Sequence, residues 1–312
     1  MKKILVTAVG GDIGYGVIKA LKASTHDLYI IGCDIKKYNI SYDLVNEFTV
    51  CPAYRDAGVW LDFMTDMIEQ NRIDYFWPVT EPEIKIIHQN PGVFKDTTVV
   101  MNRPNVLDVA MDKGETARFL GEHGVWTPKT LTSVPSGEQK YPMIVKEKFG
   151  CGSHSVKKVQ DISELRQAFQ EMEDPIVQEY IGESNEEYTL TVFSDGVVTN
   201  SIAFQRELGF GGMSRYVELS HDEKLSVIAE KIARMFDLHG SVNVQLRKSG
   251  EEYCVFEINP RISSTIGFRM QLGFNDVSWW IDMLENKPVA PYKGVEGTVY
   301  GARTVEEKIF RV

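Results

Sequence analysis

The chain has 312 residues, 43% hydrophobic and 25% charged, which at about 100–200 residues per domain gives room for two domains with cores of their own and excludes a disulfide-stapled miniprotein or a disordered chain. Forty-four acidic against 34 basic residues leave a net charge of −10, which repels nucleic-acid backbones over most of the surface. Apolar runs such as residues 4–9 fall far short of the ~18 needed to span a bilayer, and Met1-Lys2-Lys3 leads into a strand rather than a signal peptide's apolar region, so a cytoplasmic protein with no nucleic-acid or membrane partner is expected.

Along the first hundred residues, short apolar runs alternate with helical stretches: 3–8, 14–23, 28–33, 60–70 and 74–79, closing near 99–101 and a helix around Val106. Such alternation predicts a parallel sheet with crossover helices. The cluster Gly10-Gly11-Asp12-Ile13-Gly14-Tyr15-Gly16, with Asp34 closing the next strand, approximates a dinucleotide fingerprint. Its glycines miss the G-x-G-x-x-G spacing, however, and also suit a tight strand-to-helix turn. A nicotinamide site and a packing turn are the two alternatives.

After Met111 the texture changes, with a helix over 112–123, a loop over 124–130 and a strand-rich region from Tyr141. Leu165, Ala168, Phe169 and Met172 predict a helix over 162–172, capped by Asp161 or Ser163. The cysteines Cys33, Cys51, Cys151 and Cys254 are scattered without a C-x-x-C pair, which predicts reduced, mostly buried thiols.

Three stretches carry chemistry. Residues 142–159 read strand, glycine-rich loop, strand, with Lys146, Lys148, Lys157 and Lys158 against Glu147 alone. That contrast with the acidic whole suggests an anion site, since glycines admit backbone N–H groups to phosphate oxygens and lysines supply countercharge; a hairpin with solvated lysines is the alternative. Residues 241–247 and 252–261 form a second hairpin whose even positions Val242, Val244, Leu246, Cys254, Phe256 and Ile258 are apolar. One buried face then requires even to pair with even across an odd loop of three residues. In that register Asn243, Gln245, Glu257 and Asn259 share the opposite face, an oxygen set suited to Mg²⁺ beside phosphates, or a solvated polar face. Third, the strand 176–182 ends in Gly182 and offers backbone groups to an adenine edge, and Glu187 beyond it can accept from ribose hydroxyls; a surface strand and acidic turn would read the same.

Taken in order, Asp112-Lys113, the 142–156 loop, Gln178 to Gly182 with Glu187, and Asn243-Val244-Gln245 ahead of Glu257-Ile258-Asn259-Pro260-Arg261 resemble the ATP-grasp superfamily, in particular one synthetase module of the carbamoyl phosphate synthetase large subunit. The resemblance implies an α/β chain, α+β in its C-terminal part: a Rossmann-like domain over 1–110, then an ATP-grasp domain over 111–312, with a lid about 112–180 and a metal-site subdomain about 181–312. It implies ATP and Mg²⁺, with Mn²⁺ as a substitute. Lys113, Lys146 and Lys148 would face the phosphates under a loop holding Gly150, Gly152 and Ser153, Glu179, Tyr180 and Ile181 the adenine, and Glu187 the ribose. Gln245, Glu257 and Asn259 would ligate the metal, with Lys146, Asn259 and Arg261 at the reacting phosphoryl group.

The implied activity is ligation of a small-molecule carboxylate, activated as acyl phosphate, to an amine, with a homodimer as the assembly; a bicarbonate-activating enzyme is the alternative. The module's further Arg after R-x-S is missing from Arg261-Ile262-Ser263-Ser264-Thr265, which weakens that alternative. Thr80, Glu81, Arg206, Arg215 and the 209–215 loop are expected around the acceptor, and Trp279-Trp280 in the core or an assembly interface.

Overall fold

The computed structural model describes residues 1–150, 156–183, 185–209, 212–304 and 307–310. The first segment runs β1 (Lys2–Val6), α1 (Asp12–Lys22), β2 (Leu28–Asp34), β3 (Glu47–Val50), α2 (Ala57–Asn71), β4 (Tyr75–Trp77), α3 (Glu81–Gln89), β5 (Thr98–Val99) and α4 (Pro104–Ala110). Its strands form one parallel sheet in the order β3-β2-β1-β4-β5. Helices cover both faces, so β1 is apolar without alternation. Ile4 and Val6 meet Val17, Ile18 and Leu21 of α1, while Leu5 meets Trp60, Met64 and Ile68 of α2.

β3 and α3 go beyond the sequence expectation. β3 is a short, half-exposed edge with no apolar run, but α3 has a signal in Thr80-Glu81-Pro82-Glu83. Thr80 and Glu83 form a reciprocal capping box, and Pro82 sits in the first turn.

The glycine cluster is a packing turn. A Cβ on Gly14 would lie 2.2 Å from the Ala8 carbonyl oxygen, and one on Gly16 would lie 2.2 Å from Ile266 Cγ2. Asp34 Oδ2 accepts from the Gly10 amide at 2.8 Å and is engaged within the turn.

The second segment comprises α5 (Lys113–Glu122), β6 (Thr130–Leu131), β7 (Met143–Glu147), β8 (Val156–Val159), α6 (Ile162–Glu171) and β9 (Pro175–Glu179). The strands pair antiparallel in the order β6-β9-β7-β8, with Leu165 and Ala168 of α6 against Val145 and Val177. Asp161, rather than Ser163, caps α6.

The third runs β10 (Glu187–Asp195), β11 (Thr199–Leu208), β12 (Ser214–Ser220), α7 (Glu223–Phe236), β13 (His239–Ser249), β14 (Glu252–Asn259), α8 (Ile266–Arg269), a 3₁₀ turn (Met270–Leu272), α9 (Asp276–Leu284) and β15 (Tyr300–Ala302). Its antiparallel sheet has the order β14-β13-β10-β11-β12-β15. Leu225, Ala229, Ile232 and Phe236 of α7 pack on Leu190, Val192, Val242 and Val244. α9 docks on the first sheet: Trp280 is 2% exposed and meets Trp77 edge-on at 5.6 Å, and Trp279 packs on Phe193 and Phe274. Trp280 is core, and Trp279 is half-buried against it. Cys33, Cys51 and Cys254 are buried and unpaired, Cys151 lies outside the described residues, and among the described residues no helix is long and apolar enough to cross a membrane.

Candidate active site

β13 and β14 bring the polar set together. Asn243 pairs with Asn259 and Gln245 with Glu257, as the alternation predicts, but the register shifts next to Gln245 so that Leu246 pairs with Val255 and Ser249 with Glu252. The loop is therefore two residues, Gly250-Glu251, and not three. Phe256 is the extra residue of a β-bulge, which reverses the face of everything beyond it. Tyr253 and Val255 take the core positions expected of Cys254 and Phe256, and the latter two line the cavity instead. Burial pushes the Cys254 thiol up to about 12, so it offers no thiolate nucleophile at neutral pH.

Lys146 projects from β7 toward this face. It is 5% exposed, and its Nζ donates to the Phe256 carbonyl at 3.3 Å, a contact that the bulge supplies. Burial pushes its ammonium down to about 8 against the attraction of Glu257, with Lys113 and Arg247 pushing the same way as burial. Lys113, the first residue of α5, donates to the Gly150 carbonyl at 2.6 Å. Gly150 sits at φ +149°, a conformation that favours glycine. Lys148 is not brought in: it pairs with Asp112, the cap of α5, at 2.8 Å and is absent from the cavity wall. Local pairing with that cap carboxylate holds it there. Gly152 and Ser153 lie outside the described residues.

Glu179, Tyr180 and Ile181 line the cavity where β9 ends, ahead of Gly182 at φ +64°. Lys158 stands over the Tyr180 ring at 3.8 Å and Arg247 at 5.0 Å. Glu187 is buried, with Oε1 2.6 Å from Arg206 Nη2 and Oε2 3.2 Å from Arg247 Nη2. The same Arg206 nitrogen donates to Gln245 Oε1 at 2.8 Å. Arg206, expected to contact an acceptor, lines the cavity with its Nη2 engaged by Glu187 and Gln245, while its Nε has no partner among the described residues. Arg215 stacks beside Tyr216 and does not line the cavity.

Arg261 closes the arrangement. Its Nη2 donates to Asn259 Oδ1 at 2.9 Å and forms an ion pair with Glu81 Oε1 at 2.9 Å. Asn259 Nδ2 donates to Glu257 Oε1 at 2.9 Å. Burial raises the Glu81 carboxyl while Arg261 opposes the rise. Sequence reasoning places Glu81 only near an acceptor; its pairing with Arg261 joins residues 180 positions apart. Behind Arg261, the fully buried pair Arg269–Asp276 at 2.9 Å fixes the following loop, with Arg269 Nη1 donating to Ser263 Oγ and Thr265 Oγ1.

These groups share one cavity of about 350 Å³, bounded by Lys113, Lys146, residues 178–181, Glu187, Gln245, Glu257, Asn259 and Arg261. Glu257, with the second lone pairs that Gln245 Oε1 and Asn259 Oδ1 keep beside Arg206 and Arg261, makes a hard-oxygen set of the kind that holds Mg²⁺. Among the described residues no three His, Cys, Asp or Glu side chains converge, so one carboxylate and two amides would leave coordination places for phosphate oxygens and water.

Cations, an oxygen set and the end of β9 thus converge in one cleft between the sheets. The model of the ATP-grasp domain matches residues 110–265, half of the chain, and the chain belongs to that family. It is 28% identical over 192 residues to the carbamoyl phosphate synthase large chain of Campylobacter jejuni, covering 54% of this chain and 18% of that relative. The chain therefore spans less than a fifth of that relative's length. Among solved structures it is similar to the biotin carboxylase–β,γ-ATP complex of Campylobacter jejuni, with a TM-score of 0.78 at 14% identity over 97% of this chain and 75% of that one. It is also similar to the L-amino acid ligase of Bacillus licheniformis, with a TM-score of 0.72 at 15% identity over 91% of this chain and 74% of that one.

Proposed function

We propose that the protein is an ATP- and Mg²⁺-dependent ligase that activates a small-molecule carboxylate as acyl phosphate and couples it to an amine, releasing ADP and phosphate. The observation that carries this reading is the convergence of Lys146, Glu257, Asn259 and Arg261 with the 179–181 backbone in one cavity. The backbone of Glu179 to Ile181 receives the adenine, and Glu187 keeps lone pairs for a ribose hydroxyl beside its two arginines. Lys113 and Lys146 hold the phosphates, with Gly150 backing Lys113. Gln245, Glu257 and Asn259 hold Mg²⁺, or Mn²⁺ by the same oxygen chemistry, and when bound the ion supplies countercharge to the phosphate oxygens.

A substrate carboxylate oxygen then attacks the γ-phosphorus as the bond to the ADP oxygen breaks. Arg261 offsets the accumulating charge, and Glu81 and Asn259 fix its orientation. The amine nitrogen attacks the acyl carbon, the carbon–oxygen bond to phosphate breaks, and the amine's proton leaves with the phosphate.

The division we infer is a Rossmann-like domain over 1–110 and an ATP-grasp domain over 111–312, with a lid about 112–180 and a metal-site subdomain about 181–312, supported by strand pairing that stays within each segment. A cytoplasmic setting and a homodimer complete the proposal. Calorimetric titration with a nonhydrolysable ATP analogue, with and without Mg²⁺ and with NADH alongside, tests it. Mg²⁺-dependent binding of the analogue is expected; NADH binding with none for the analogue overturns it.

A further inference from the structure

Asp12 and Ile13 at the start of α1, Arg261, Ser263 and Ser264 after β14, and Met213 line the same cavity; α1 meets the segment after β14 where Gly16 lies against Ile266, and Arg303 links Ser264 to Ser214 beside Met213. Asp12 differs from two other carboxylates of the cavity, Glu187 and Glu257. Glu187 has two arginines, and Glu257 accepts from Asn259. Asp12 Oδ2 is shielded from solvent and has no hydrogen-bond partner among the described residues. A carboxylate oxygen removed from water without a partner costs about 1–3 kcal/mol or more, so its retention in a ligand cavity calls for a cation or donor that arrives with the ligand.

Among the described residues no side chain donates to Asp12 Oδ2. Arg261 is committed to Asn259 and Glu81, and Lys113 to Gly150. The glycine turn leading into α1 is also closed to an anion at its first two amides, because Gly10 N–H goes to Asp34 and Gly11 N–H to the Ala8 carbonyl. A phosphate placed here would meet the Asp12 charge directly. An ammonium would instead find the Asp12 carboxylate and the Ser264 hydroxyl, with Ile13 and Met213 in the cavity wall as apolar contact for the carbon chain.

Resting on the ligase reading above, we propose that the amine substrate is a primary aliphatic amine bound through its ammonium at Asp12, and that Asp12 sets specificity against phosphorylated acceptors. On passing its extra proton to water, the same nitrogen is free to attack the carboxylate that Arg261 holds activated in this cavity.

Ligand-observed saturation-transfer NMR tests this with n-propylammonium, n-propanol and propyl phosphate as probes, each against the wild type, Asp12→Asn and Asp12→Glu, with and without the ATP analogue and Mg²⁺. Propylammonium is expected to bind the wild type, to lose about 10- to 100-fold in affinity in Asp12→Asn, as loss of a charge-assisted hydrogen bond implies, and to recover in part in Asp12→Glu. Equal binding to wild type and Asp12→Asn, no binding of propylammonium to the wild type, or competition by propyl phosphate overturns the proposal. Analogue binding in all three proteins checks that the variants fold. Failure of the analogue to bind wild type would instead overturn the ligase reading, while the propylammonium titrations without the analogue still decide whether Asp12 binds an ammonium.

Discussion

Arg261 Nη2 stands 2.9 Å from Glu81 Oε1 and 2.9 Å from Asn259 Oδ1, so one nitrogen ties the first residue of α3 to the last residue of β14. The guanidinium that the proposed function sets at the reacting phosphoryl group is thereby oriented from the parallel sheet as well as from its own hairpin. Removing the charge while keeping the shape, as in Glu81→Gln, is expected to lower kcat by about 10-fold or more while the ATP analogue binds within about threefold of wild type, because orientation of a charge acts in the transition state. Steady-state kinetics beside analogue titration separate the two effects.

Lys146 gives a pH dependence. Its folded value of about 8 lies below the ordinary lysine value, because burial disfavours the ammonium. As pH rises through about 8 the free protein loses this charge, so ATP-analogue affinity should fall over that range, read by calorimetry at several pH values. Stability runs the other way. Between about 8 and the ordinary lysine value the unfolded chain binds the extra proton, so stability rises with pH, and at neutral pH Lys146→Met should gain up to about 3 kcal/mol while ATP-analogue affinity drops. Thermal denaturation of both proteins checks the sign.

Glu257 is the one carboxylate in the oxygen set. Glu257→Ala is expected to abolish ADP release and the Mg²⁺ dependence of analogue binding while circular dichroism and the melting profile remain those of a folded protein. Retained turnover would remove the metal assignment.

Arg206 holds Glu187 and Gln245 with one nitrogen, and its removal leaves a buried carboxylate with Arg247 alone. Arg206→Met should destabilise the protein by about 3 kcal/mol, the usual range for breaking a buried ion pair. The double variant with Glu187→Gln should cost less than the sum of the singles in denaturant titration, since both remove the same contact.

Gly14→Ala tests the packing turn. With the Ala8 carbonyl oxygen 2.2 Å from the added Cβ, the helix must shift, and a loss of about 1–3 kcal/mol is expected. NADH should bind neither this variant nor the wild type.

Much of the fold could be read from local pattern alone. The apolar runs of β1 and β2, the helical spacing of α6 and the glycine at the end of β9 report nearest neighbours and periodicity, which the order of residues contains. The oxygen set Asn243, Gln245, Glu257 and Asn259 was legible for the same reason, since period-two alternation sorts a strand's two faces. α3 carries an equally local signal in the Thr80 and Glu83 capping box, whereas the short edge β3 carries none.

What the sequence by itself determined is the run of strands and helices and the sharing of one hairpin face by Asn243, Gln245, Glu257 and Asn259, because these follow from backbone periods of 2 and 3.6 residues. Only the tertiary structure decided the bulge at Phe256, the commitment of Arg206 to Glu187 and Gln245, the withdrawal of Lys148 to Asp112 and the pairing of Glu81 with Arg261. Each joins groups whose distance is set by how sheets and helices pack, and each is a competition among several nearby partners for one charge or one core position. Charge and burial energies at contact distance settle such competitions, and sequence separation carries no information about them.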